Sequence, residues 1–172
     1  MQHIETVTVG SGGAASITFS SIPDTFTDLY VVASLRTSEA SVATGLVVKY
    51  NGSSSSYSSR RLFGYLTNSP LSDTTVAQFI ILGSNATANS FSNVGFYIPN
   101  YRSSAYKSAS FDGVGDYNSS DVWIGIGSLL WSVTDPITSI TLSAESTANF
   151  AEFSSASLYG IVRGSDGTTT VS

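Results

Sequence analysis

Apolar and polar residues alternate with a period of two along most of this chain, the spacing that puts successive side chains on opposite faces of a β-strand. The clearest stretch is 29–36, where Leu29, Val31, Ala33 and Leu35 share one face and Tyr30, Val32, Ser34 and Arg36 the other. Similar patterns predict strands over 3–9, 16–19, 46–50, 60–66, 76–82, 91–98, 105–114, 122–131, 137–142 and 156–162. In the first of these, Ile4, Thr6 and Thr8 are expected opposite Glu5, Val7 and Val9. Turn signals separate the strands: Gly10 to Gly13, Pro23-Asp24, Asn51-Gly52, TNSPLSD (67–73), Pro99-Asn100 and GDYNSSD (115–121). The serine run at 53–59 reads as a flexible, uncharged loop.

About ten short strands with no helical periodicity predict an all-β fold, an antiparallel β-sandwich of jelly-roll-like form, in preference to a closed barrel. The length, 172 residues, predicts a single domain over 1–172. Residues 1–15 are expected to form a first strand or an N-terminal arm, and 164–172 a flexible tail.

Composition narrows the function classes. Charged residues make up only 11% of the chain, and Ser, Thr, Gly and Asn take their place, so the polar faces are expected to be uncharged. The net charge is −5 and only Arg60 and Arg61 adjoin, so no basic footprint for nucleic acid is expected. With no cysteine there is no disulfide, thiolate metal site or thiol nucleophile. The N-terminal sequence lacks a basic region followed by an apolar run, so no secretory signal is expected, and no apolar run is long enough to predict a membrane-spanning helix.

Few residues suggest chemistry. The sole histidine, His3, lies near the start of the chain, a poor position for a Ser-His-Asp base or a histidine metal site. Asp112, Asp116 and Asp121 cluster in FDGVGDYNSSD and are calcium candidates, although their spacing matches no EF-hand loop and such aspartates commonly cap turns. Asp24 with Asp28, and Glu145 with Glu152, are the other local carboxylate pairs. Aromatics reach 12%, which raises the question of glycan binding. The glycan candidates are Trp123, Trp131, Tyr57, Tyr101, Tyr106 and Tyr117. The competing reading makes the tryptophans core or intersubunit seam, with Gly125 and Gly127 leaving room for rings or backbone. No cofactor is expected.

Four phrases carry a resemblance: SSIPDTFTDLYVVASLR, VVKYNGSSSSYSSRRLFG, FYIPNYRSSAYKSASFDG and WSVTDPITSITLSAESTANFAEFSSASLYGIVRG. Together, over about 16–164, the chain resembles small β-sandwich virion proteins of tailed bacteriophages. The shared phrases are strands and turns, so no functional residue is transferred. The resemblance implies a non-enzymatic virion protein made in the host cytoplasm. The first expectation is a capsid decoration or cement protein on the head exterior, a homotrimer bound to the major capsid protein or other virion proteins. Tyr30 and Val32, apolar on the face opposite Leu29 and Val31, are candidates for a subunit seam. The alternative is a head-fibre or tail module that binds host surface glycan or receptor; the lack of a stalk sequence favours decoration. A glycan-degrading enzyme is the third reading.

Overall fold

The computed structural model describes residues 1–65, 67–73, 77–117 and 121–162. Among these there are twelve strands and no helix: β1 (Gln2–Thr8), β2 (Ser16–Phe19), β3 (Asp28–Leu35), β4 (Ala43–Tyr50), β5 (Tyr57–Tyr65), β6 (Thr67–Asp73), β7 (Ala77–Leu82), β8 (Ser92–Ile98), β9 (Lys107–Tyr117), β10 (Asp121–Trp131), β11 (Ile140–Ala144) and β12 (Ser155–Ile161). They form two antiparallel sheets, ordered β1-β12-β3-β8-β9-β10-β5-β6 and β2-β11-β4-β7.

Eight strands make a jelly roll. The antiparallel pairs β1–β12, β2–β11, β3–β8 and β4–β7 are the rungs of one long ribbon. Rolled up, the ribbon places β1, β12, β3 and β8 in one sheet and β2, β11, β4 and β7 in the other. Two hairpins, β5–β6 and β9–β10, are inserted into this ribbon and extend the first sheet beyond β8.

The core lies between the sheets. Leu29, Val31, Ala33 and Leu35 of β3, Leu158 of β12 and Val94 and Phe96 of β8 face Ile17, Phe19, Leu46, Val48, Ile140 and Leu142 of the smaller sheet. All are buried, and each fully buried aliphatic side chain contributes about 1.5–3 kcal/mol before entropy is counted. A second cluster packs Trp123 of β10 and Leu82 of β7 with Ala86. Glycines admit the rings on the inner face of the hairpins: a Cβ on Gly115 would stand 2.3 Å from Trp123 Nε1, and one on Gly127 would stand 2.2 Å from Phe111 Cζ.

Four local expectations change. The register of β1 shifts between His3 and Glu5, and this irregularity breaks the alternation, so Ile4 and Val7 both pack against the core. TNSPLSD is not a turn but strand β6. Its Pro70 is tolerated because β6 is the outermost strand of its sheet. Tyr57 to Ser59, read as loop, begin β5. At 137–142 both Ile137 and Ile140 are buried, a spacing of three that a strand cannot turn to one face, and β11 starts only at Ile140. The expected tail, 164–172, lies outside the described residues.

Candidate functional site

Two surfaces on the outer side of the larger sheet differ from ordinary solvated strand. The first covers the inserted hairpins. On β10 the outward positions are Val122, Ile124 and Ile126. The register sets Ile124 opposite Val114 of β9, and Ile126 opposite Leu62 of β5. These five are 44–76% exposed. Soluble monomers seldom expose contiguous apolar surface beyond about 300–600 Å², and five large aliphatic side chains in adjoining positions approach that extent. A shallow groove passes between Leu62, Ile124 and Ile126. Asp112 on β9 and Arg60 on β5 flank the patch.

The second surface covers the roll itself. Register places His3, Tyr159, Tyr30 and Tyr97 opposite one another on β1, β12, β3 and β8. The three tyrosines are half-buried and His3 is exposed. The next row inward on β3 includes Val32, 38% exposed, so it is not covered by loops.

Most of the sequence candidates sit elsewhere. Trp123, Trp131, Tyr57 and Tyr101 are buried and present no open ring to a sugar. Trp131 stacks on Tyr57, with centroids 6.2 Å apart, and meets Tyr50 edge-on at 5.7 Å. The Tyr50 N–H donates to Tyr57 Oη at 2.7 Å. Burial raises the Tyr50 hydroxyl pKa well above its ordinary value. It also pushes Tyr57 up to about 12, against the lowering effect of the bond to the Tyr50 backbone. Burial raises Tyr101 as well, and its hydroxyl donates to the Pro23 carbonyl. Tyr106 is exposed. The side chains of Tyr117 and Asp121 lie outside what is described.

The calcium candidates are not brought to one point. Asp112 and Asp116 lie on the same face of β9 four residues apart, about 13 Å along a strand. Two ligands of one calcium ion, each about 2.4 Å from it, stand much closer than that. The backbone of Asp121 pairs with Tyr117, while Asp116 pairs with Val122. Asp28 has a structural role: its carboxylate accepts from Tyr97 Oη at 2.7 Å and from the Asn100 N–H at 2.8 Å. His3 is bonded to Thr6 Oγ1 at 2.8 Å.

Two buried or half-buried cations are spent on backbone. Lys107 Nζ donates to the carbonyls of Ser103, Ala105 and Thr134 at 2.7, 2.6 and 3.2 Å, and burial lowers its pKa. The Arg36 guanidinium donates to the carbonyls of Ser84, Ala86, Thr87 and Ser90, clasping the β7–β8 connection.

The aliphatic patch was accessible to sequence reading, because Val122, Ile124 and Ile126 alternate with Trp123, Gly125 and Gly127, and both sets are apolar or small. The tyrosine row was not, because its members lie in four separate segments joined only by register. The chain matches no family model, no curated protein and no solved structure.

Proposed function

We propose that the protein is a structural virion protein of a tailed bacteriophage: a capsid decoration protein that binds the outer surface of the head as a homotrimer, next to the major capsid protein. The observation that carries the reading is the aliphatic face of β9, β10 and β5. It is built on hairpins that the eight-strand roll does not need for closure. In this reading each copy buries Leu62, Val114, Ile124 and Ile126 against a neighbouring copy. A three-fold ring requires that face to meet a different surface of the next copy, a heterologous contact that closes on itself. The sequence resemblance to phage β-sandwich proteins supports the setting. The low charge and abundant Ser and Thr suit an exterior that does not grip nucleic acid. The role is structural, not catalytic.

Quantitative mass spectrometry of purified virions tests it. Hundreds of copies per particle are expected, and a dozen or fewer would overturn decoration in favour of a tail or fibre part. Light scattering on the purified chain should give three times the 18.0 kDa of one copy. Ile126→Ser should reduce it to one.

A further inference from the structure

The geometry points to a second binding surface: the outer face of β1, β12, β3 and β8 is a platform for a neutral glycan, whose sugar rings lie across His3, Tyr159, Tyr30 and Tyr97. It adjoins the aliphatic patch, since Asn93 pairs with Val114, but shares no residue of the row with it and does not rest on the decoration reading.

The four residues face one another across adjacent strands. Strands stand about 4.8 Å apart, so the row steps across the sheet at close to the length of one pyranose unit. An extended oligosaccharide laid perpendicular to the strands meets one aromatic side chain per sugar. The aliphatic C–H face of a pyranose packs on such rings, as other amphipathic partners of tyrosine do.

The side chains of the row are also fixed in orientation. The edge of His3 meets the Tyr159 ring at 69° with centroids 5.6 Å apart. His3 is held by Thr6, whose hydroxyl also bonds Ser157 Oγ at 2.8 Å. The Tyr97 hydroxyl is anchored on Asp28. Tyr30 extends over Gly95, where an added Cβ would stand 2.9 Å from the phenol oxygen. Rings already held in place lose little freedom when a ligand arrives.

None of these four strands contains a lysine or arginine. Around the rings stand Thr6, Ser157, Val32, Ser34 and Asn93, which offer hydroxyls, an amide and an aliphatic contact. Apart from His3 itself, the described residues of these strands offer no basic side chain to a sulfate, phosphate or carboxylate, and the carboxylates of Asp28, bonded to Tyr97, and Asp112, opposite Gly95, border the rings, so the surface favours an uncharged polysaccharide.

Native affinity electrophoresis of the intact chain provides the test, in gels containing a β-glucan, a mannan or a galactomannan, with alginate and dextran sulfate as anionic arms. Retardation by at least one neutral polysaccharide is expected. Tyr159→Ala and Val32→Arg should each weaken it at least tenfold. Val32→Arg removes no ring and adds its charge at an exposed position, so it keeps the test valid if Tyr159→Ala fails to fold. Ile126→Ser should leave binding unchanged, because that residue belongs to the other patch. No retardation by any neutral polysaccharide would overturn the inference. So would retardation confined to the anionic arms, or binding that survives Val32→Arg. Copy number on the virion bears on the decoration reading alone.

Discussion

On the strands of the roll the outward side chains are mostly hydroxylated or amide, Tyr30, Ser34, Asn93, Ser157 and Tyr159 beside the single aliphatic Val32; on the inserted hairpins Leu62, Val114, Val122, Ile124 and Ile126 form an aliphatic block bordered by Arg60, Asp112 and Ser128. Both halves belong to one continuous sheet, and both bury their inward side chains. Burial of the inward face is the condition for folding, and it leaves the outward face free to vary. Where that face is hydroxylated, water solvates it. Where it is aliphatic, water does not, and association is the way such a surface leaves solvent. The difference separates what the sheet needs in order to exist from what it presents to others.

The largest expected effect tests whether the hairpins are integral to the fold. Trp123→Ala on the inward face of β10 should cost about 3–5 kcal/mol in urea unfolding, as for other large buried aromatics. A cost below about 1 kcal/mol would mean that the extension is an appendage.

The next effect lies where the inserted hairpins meet the smaller sheet, at Tyr50 of β4 and Tyr57 of β5. Both hydroxyls are held neutral by burial, so their folded pKa values lie above the unfolded value near 10. Stability from this source is fully present below pH 10. It declines as pH rises from there toward the folded values, by up to about 1.4 kcal/mol per pH unit for each group. Chemical denaturation at a series of pH values should be level from 8 to 9 and fall above 10. Tyr57→Phe should flatten that fall; an unchanged slope would place the titration elsewhere.

Arg36→Ala should act on the roll alone. It leaves four carbonyls of the β7–β8 connection without their donor, at a cost of about 1–3 kcal/mol. Limited proteolysis should then cut within 84–90 while β9 and β10 stay protected. Equal protection in both proteins would remove the clasp from the account.

The smallest effect on stability sharpens the contrast most. At dilutions where the chain is a single copy, Ile126→Ser should change unfolding free energy by no more than about 0.5 kcal/mol, because within one copy the side chain is already 51% exposed. Leu129→Ser, three residues on but turned inward and buried, should be far more damaging. Similar costs for the two would show that the outward face is already covered within one copy.

The sandwich was legible because Leu29, Val31, Ala33 and Leu35 are an uninterrupted inward set, and because turn residues bracket most strands. The inserted hairpins were harder to read. In β6, proline and serine disguise an edge strand that has no inner neighbours on one side and so tolerates both. In β1, a single irregularity beside Ile4 undoes a parity argument that assumes strict pairing. The sites divide in the same way. Exposure of Ile124 and Ile126 follows from strict alternation against Trp123 and Gly125 within one segment. The buried state of Trp131, Tyr57 and Tyr101 does not, since it depends on which sheet lies opposite. Asp112 and Asp116 looked clustered only because sequence distance was read as spatial distance, whereas an extended chain separates residues faster than any other conformation.

The pairing of β1 with β12 also sets the order in which the chain can fold. Thr6 bonds Ser157 across 151 positions, whereas β5–β6 and β9–β10 close between neighbouring segments. Closing a long loop costs more entropy than closing a short one and slows the search for the pairing. During synthesis the hairpins can therefore zip early, their aliphatic sides open to water, while the outermost rung of the roll waits for residue 160 to emerge from the ribosome. The surface proposed for assembly is thus also the one that forms first and stays open to water while the rest of the roll is completed.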